Sequence, residues 1–161
     1  MGVEFTGDWI RCMKALDNLA NKTKSEMGKK IGRSILKIEA KVQAHMNDQD
    51  LGWDELDAAY AARKAAAKNP RLSPDTLRAT NRMYDNITTR QNDDFSGSVG
   101  VRRGVKNDDG EDVTDIAIIH EQPDNDGKII PARKLWEPTY NEVKDDVVAE
   151  LAGVVIKVLK A

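Results

Sequence analysis

The chain has 161 residues, 40% apolar and 32% charged, with a formal net charge of −2. That length suffices for one domain with a real core, and the near-neutral charge argues against a protein that coats nucleic acid. The single cysteine, Cys12, excludes an intramolecular disulfide and fits a reducing compartment. No apolar run approaches the roughly 18 residues of a membrane-spanning helix, and the opening residues lack the apolar core of a signal peptide. "MGVEFT" matches the myristoylation pattern at Gly2 and Thr6, and "NKT" and "NIT" match the glycosylation pattern. These patterns are short, and the last two have no meaning in a cytosolic protein.

In chain order, Asp8 is placed to cap a short helix whose apolar face is Trp9, Met13, Leu16 and Ala20. "TKSE" at residues 23–26 reads as a capping box opening a second, longer helix. Its stripe is Met27, Ile31, Ile35, Ile38, Val42 and His45 or Met46, the strongest periodic signal in the chain. Gly28 and Gly32 weaken that helix by about 1 kcal/mol each relative to Ala, unless they admit a neighbouring backbone. A loop at 46–52 leads to a helix over 53–69, ended by Pro70. Ser73 and Pro74 then mark the start of a short helix.

From Ile87 the pattern changes to short β-branched segments, "NITTRQ", "FSGSVGVRR" and "VTDIAIIHE". The last two are joined through Asp109-Gly110, a strong turn signal. The final segment carries a helical stripe of Tyr140, Val143, Val147, Leu151, Val154 and Val158. The expected fold class is α+β: long N-terminal helices and a C-terminal amphipathic helix packed on a small antiparallel sheet of three to four strands. One domain spans 1–161, with 1–82 mainly helical, 83–121 the sheet, 122–134 a loop and 135–161 the last helix.

His120 and Glu121 invite a zinc-protease reading, but that motif needs a second histidine four residues on, and position 124 is Asp. Pro123 also breaks any helix there. The acidic loops do not fit an EF-hand. With Gly127 as the loop glycine, the first and last ligand positions fall on Gln122 and Arg133; with Gly110, on Val105 and Ile116. Cys12 lies on the apolar side of its helix, and the candidate bases for a nucleophile are His45 and His120, of which His45 continues a core stripe. Phosphate-cradling glycine loops and "GxSxG" are absent from the sequence. No catalytic, cofactor or metal site is expected.

Charge is more informative. Arg102, Arg103 and Lys106 form a compact basic cluster, and residues 107–126 then carry eight acidic side chains with no Lys or Arg. These are solvated loops, complementary surfaces between subunits, or a weak phosphate-contacting patch.

"IAIIHE" at 116–121, followed by a loop and "IIPARKLW" at 129–136 leading into an amphipathic helix, resembles tail-completion or head–tail joining proteins of tailed bacteriophages. It is also similar to the virion morphogenesis proteins of Mu-like phages. "TNRMYDNI" at 80–87 resembles their "T-G-x-L-x-x-S-I" element, with Asn81 for Gly, Met83 for Leu and Asn86 for Ser. Asn is the non-glycine residue most tolerant of left-handed backbone angles, so the first change is mild. "GWDELDAAYAARKAAAKNP" at 52–70 is similar to a Mu-type segment, and Gly127 stands where the family has a glycine before "IPAR".

The resemblance spans residues 24–161 and implies a structural virion protein rather than an enzyme. It would act in the neck or tail, and in the host cytoplasm during assembly. It would form a ring, often hexameric in such families, that contacts the tail tube or tail terminator protein and a head-completion or connector protein. DNA would pass through the ring without sequence-specific binding, and no membrane is involved. Ring formation needs head-to-tail contacts, for which separate basic and acidic patches are suited.

The expected contact residues are Arg102, Arg103, Lys106, His120, Glu121, Asp124, Asp126, Ile130, Pro131, Arg133 and Trp136. The loop at 122–130 is expected to be exposed, with Arg133 free to pair with a carboxylate and Trp136 either core or interface. Two alternatives stand beside this reading. One is a small metal-dependent enzyme using His120 and Glu121; the other is a nucleic-acid-binding module using Arg102, Arg103 and Lys106.

Overall fold

The computed structural model describes residues 7–66, 75–78, 80–122 and 131–160. Its order is α1 (Gly7–Asp48), α2 (Ala58–Ala66), α3 (Arg82–Asp85), β1 (Ile87–Gln91), β2 (Gly97–Val101), α4 (Val113–Glu121) and α5 (Trp136–Leu159). The class is α+β, as expected, but the sheet among the described residues has two strands rather than three or four.

The two expected N-terminal helices are one helix of 42 residues. Nothing in residues 8–27 interrupts the helical spacing, so the capping box at 23–26 is never used. Thr23 Oγ1 instead donates to the Leu19 carbonyl at 2.8 Å, the bond of a threonine inside a helix. Glu26 pairs with Lys29 at 2.7 Å. The helix ends at Asp48, where Gln49 takes φ +53° and its side chain donates to the Met46 carbonyl at 2.6 Å.

The expected helix over 53–69 is shorter at its start: residues 52–57 are irregular and α2 begins at Ala58. Residues 67–69 and the expected helix start at Ser73 and Pro74 lie outside the described residues. Residues 75–78 form turns rather than helix, and Leu77 and Asn81 both have left-handed φ, +61° and +58°. Asn81 thus occupies the conformation that a glycine would otherwise supply.

β1 and β2 pair antiparallel, with Ile87 opposite Val101, Thr89 opposite Val99 and Gln91 opposite Gly97. That register puts Ile87, Val99 and Val101 on one face, where they join the core with Val42, Met46, Met83, Ala117 and Leu135. A two-stranded sheet is marginal by itself; α1 backs it closely. A Cβ at Gly97 would lie 2.8 Å from Ile35 Cγ2, and one at Gly28 only 2.6 Å from Asp94 Oδ1. Gln91 Nε2 donates to the Gly28 carbonyl at 2.9 Å. The glycines do admit a neighbouring segment.

The third expected strand, "VTDIAIIHE", is helix α4. Its β-branched residues favour a strand locally, but Asp112 caps a helix: its side chain accepts from Thr114 N at 2.8 Å and from Gly104 N at 2.7 Å. Val113 and Ala117 are buried and Ile116 and His120 half-buried, which is helical spacing. Packing and the cap overrode propensity.

α5 lies antiparallel along α1. Rising positions on α1 pair with falling positions on α5: Lys30 with Glu150 at 2.9 Å, Lys37 with Asp146 at 3.2 Å and Lys41 with Glu142 at 2.7 Å. The expected stripe of α5 holds for Val143 and Val158, which are buried, and for the half-buried Val147, Leu151 and Val154. Tyr140 turns outward. None of the described helices is long and apolar enough to cross a membrane.

Candidate functional site

His120 and Glu121 end α4, and their partners are local structure. An α-helix leaves its first N–H groups without internal acceptors, and Leu135, at the N-cap of α5, has no side chain to supply one. Glu121 supplies it across a sequence gap: Oε2 accepts from Leu135 N at 2.8 Å and Trp136 N at 3.0 Å, and Oε1 accepts from Glu137 N at 2.9 Å. A carboxylate there also complements the positive end of the helix. Arg133 N donates to the His120 carbonyl at 2.9 Å, and Trp53 Nε1 donates to the Lys134 carbonyl at 2.9 Å, closing the same junction.

His120 is half-buried, and its Nδ1 has no hydrogen-bond partner. Burial, with Arg133 adding repulsion, pushes its pKa down to about 4. Arg133 is only 8% exposed, and its Nε is likewise without a partner. Lys64, also 8% exposed, donates to the Asp75 carbonyl at 2.9 Å; burial lowers its pKa, the Asp75 carboxylate opposes the shift and Arg133 adds a smaller lowering. All three line a cavity of about 900 Å³ between α2, Leu77, the start of α3, the 107–113 turn, α4, Pro131 and Arg133.

The expected contact residues fall into groups. Arg102, Arg103 and Lys106 are exposed, beside a turn whose Asp108, Asp109 and Glu111 are exposed as well. Asn107 Oδ1 accepts from Asp109 N and Glu111 N, and Arg82 pairs with Asp108. Pro131 is half-buried at the cavity, and Trp136 packs half-buried against the core. Arg133 points inward rather than outward as expected. Asp124, Asp126, Ile130 and most of the 122–130 loop lie outside the described residues. Among the described residues no group of three His, Cys, Asp or Glu side chains is arranged to hold a metal ion.

A second constellation was hidden in the sequence. His45 is buried, with Nδ1 2.6 Å from Asp50 Oδ1 and Nε2 3.1 Å from Glu142 Oε2. Hydrogen bonding to His45 lowers the Asp50 pKa, while Lys41 is the main cause of the lowered Glu142 pKa and His45 a lesser one. This ties the C-terminal end of α1 to α5. The stripe position of His45 signalled burial, but nothing in the sequence signalled Glu142 as its partner, 97 residues away.

At the far end of the α1–α5 pair the arrangement is different. Lys157 acts electrostatically on Glu26, so α5 ends beside the middle of α1. Residues 7–18 of α1 are all exposed, a stretch about 18 Å long at 1.5 Å per residue. Trp9 is 51%, Met13 45% and Leu16 55% exposed, at the spacing of one helical face. Val148, Val155 and Leu159 form an exposed face on the nearby half of α5.

No protein-family model matches the chain, and no curated protein or solved structure shows significant similarity to it. The resemblance therefore rests on the short motifs at 52–70, 80–87, 116–121 and 130–136 with Gly127, and the one at 116–121 is helical where the resemblance implies a strand.

Proposed function

We propose that the chain is a self-associating structural subunit, acting as the ring-forming tail-completion or head–tail joining protein of a tailed phage that its motifs resemble. The observation that carries the assembly part is the exposed apolar side chains toward one end of the helix pair, Met13 and Leu16 on α1 and Val155 and Leu159 on α5. Exposed apolar side chains grouped on one face of a helix in a folded chain are the kind of surface that takes a partner. The phage assignment adds the resemblance of "TNRMYDNI" and "IIPARKLW", and a ring needs the head-to-tail contacts that two different faces provide.

The His120–Glu121 enzyme reading gains no observation, since both oxygens of Glu121 are engaged by the backbone of α5. Nor does the nucleic-acid reading, whose three cations sit beside an acidic turn.

The test is the molar mass in solution across a concentration series, by light scattering after size exclusion. The wild-type chain is expected to grow into a multimer, and Met13→Asp with Leu16→Asp to remain a monomer with an unchanged circular dichroism spectrum. A wild-type chain that stays monomeric up to millimolar concentration sinks the self-association reading. Closed rings in negative-stain images would support the neck assignment; open filaments would remove it and leave association standing.

A further inference from the structure

The large cavity beside α4 combines features that do not belong together in an empty pocket. Its walls are apolar: Leu56 and Tyr60 from α2 and its lead-in, Leu77 from the turn at 75–78, Met83 from α3, Ile116 and Ile119 from α4. Into it face two long cationic side chains, Arg133 and Lys64, each more than nine-tenths buried.

Burying a charge is costly unless a counter-charge and hydrogen bonds meet it. Lys64 has one carbonyl acceptor, from Asp75. Arg133 Nε has no partner, and the ion pairs made by arginines among the described residues belong to Arg78 and Arg82. The neighbouring ring of His120, with its partnerless Nδ1, is turned toward the neutral form by the same burial and by Arg133. Among the described residues no carboxylate is paired with Arg133.

We propose that this cavity binds one carboxylate carried on an apolar stem, with Arg133 as its bidentate partner, Lys64 as a second cation and the apolar walls taking the stem. Guanidinium and carboxylate match in plane and spacing, which makes arginine the fitting residue for such a group. His120 Nδ1 can add a hydrogen bond to a carboxylate oxygen when that nitrogen carries the proton.

The rim decides against larger anions. Glu55, Asp57, Asp109 and Glu111 line the same cavity and are exposed, so a nucleic-acid strand or other polyanion meets repulsion before it reaches the buried cations. A single charge on an apolar stem presents its neutral part to that rim. The volume, about 900 Å³, is at the upper end of pockets that hold drug-sized ligands. Two sources share this chemistry: a small aliphatic acid, and the free carboxyl terminus of an apolar peptide. This proposal does not rest on the assembly reading, since none of its residues lies on the exposed faces of α1 and α5.

The experiment is calorimetric titration of the full chain with two matched pairs of probes. One pair is octanoate and octanamide; the other is N-acetyl-Leu-Val-Leu with a free carboxyl terminus and the same peptide as its amide. At least one acid is expected to bind in a 1:1 ratio and at least tenfold tighter than its amide. Octanoate alone would identify a small acid, and the peptide alone a chain terminus. Arg133→Gln should abolish the preference for acid over amide, and Lys64→Gln should reduce it severalfold.

Equal binding of acid and amide would show only an apolar cavity and overturn the proposal. So would failure of both acids to bind at millimolar concentration. If Arg133→Gln does not fold, the acid–amide comparison on the wild-type chain still decides the matter.

Discussion

The two ends of the α1–α5 pair are made from the same helices and similar residues, yet they end up in opposite conditions. At one end the last turns of α1 are buried under β1, β2 and α4, and the first turn of α5 is capped by Glu121. At the other, α1 runs beyond its neighbours and the apolar residues of both helices face outward. Helical periodicity is present at both ends. What differs is whether the other described elements cover the stripe, which is a property of tertiary folding rather than of the helix. A covered stripe contributes to folding; an uncovered one is available to a partner.

The sharpest way to break that comparison uses the same residue type at each end. Met46 has no exposed surface, so Met46→Ala removes buried apolar volume and leaves a cavity, at a cost of about 2–5 kcal/mol in urea unfolding. Met13 lies on the bare face, and Met13→Ala should change monomer stability by less than about 0.5 kcal/mol while weakening association. Similar losses at both positions, measured at a concentration where the chain is monomeric, would mean that this stretch of α1 is covered within the monomer and the contrast is false.

A smaller effect is expected at the α4–α5 junction. Glu121→Ala strips acceptors from three backbone N–H groups of α5 at once, costing about 1–3 kcal/mol. Glu137, acidic in the same first turn, is exposed and paired only with Lys134, so Glu137→Ala should cost less than about 0.5 kcal/mol. Equal costs would remove the claim that Glu121 is a long-range cap rather than one more surface charge.

Much of this was legible from the residues, and what was not has physical reasons. The hairpin showed in two β-branched runs, and the buried half of α1 showed in its stripe. The interior helix α4 was misread because Val113, Ile116, Ile118 and Ile119 favour strands; the overlooked signal was Asp112 followed three positions later by Asp115, an N-terminal helix signature. The break expected at residues 23–26 failed because a capping box specifies a helix start only where the preceding chain leaves the helix. The pairing of Glu121 with α5, of His45 with Glu142 and the convergence of Lys64 with Arg133 were beyond reach, since each joins segments whose proximity only the fold creates.

The smallest expected effect lies at the packed end and is read through pH. His120 has an ordinary value near 6.5 when unfolded and about 4 when folded, because burial and Arg133 disfavour its charged form. As pH falls through 6.5 the unfolded chain takes up a proton that the folded chain refuses, so stability must fall. Discounting the shift for partial exposure, the loss between pH 7 and pH 5 is about 1 kcal/mol. The lowered carboxylates at Asp50, Glu142, Glu150 and Asp112 contribute stability that is lost at still lower pH, below their ordinary range near 4. His120→Asn should flatten the curve between pH 7 and pH 5, measured as the urea midpoint at pH 7, 6 and 5. A variant that keeps the full slope would show that His120 is protonated as easily in the folded chain as outside it, and that the packed end is open to water where the structure closes it.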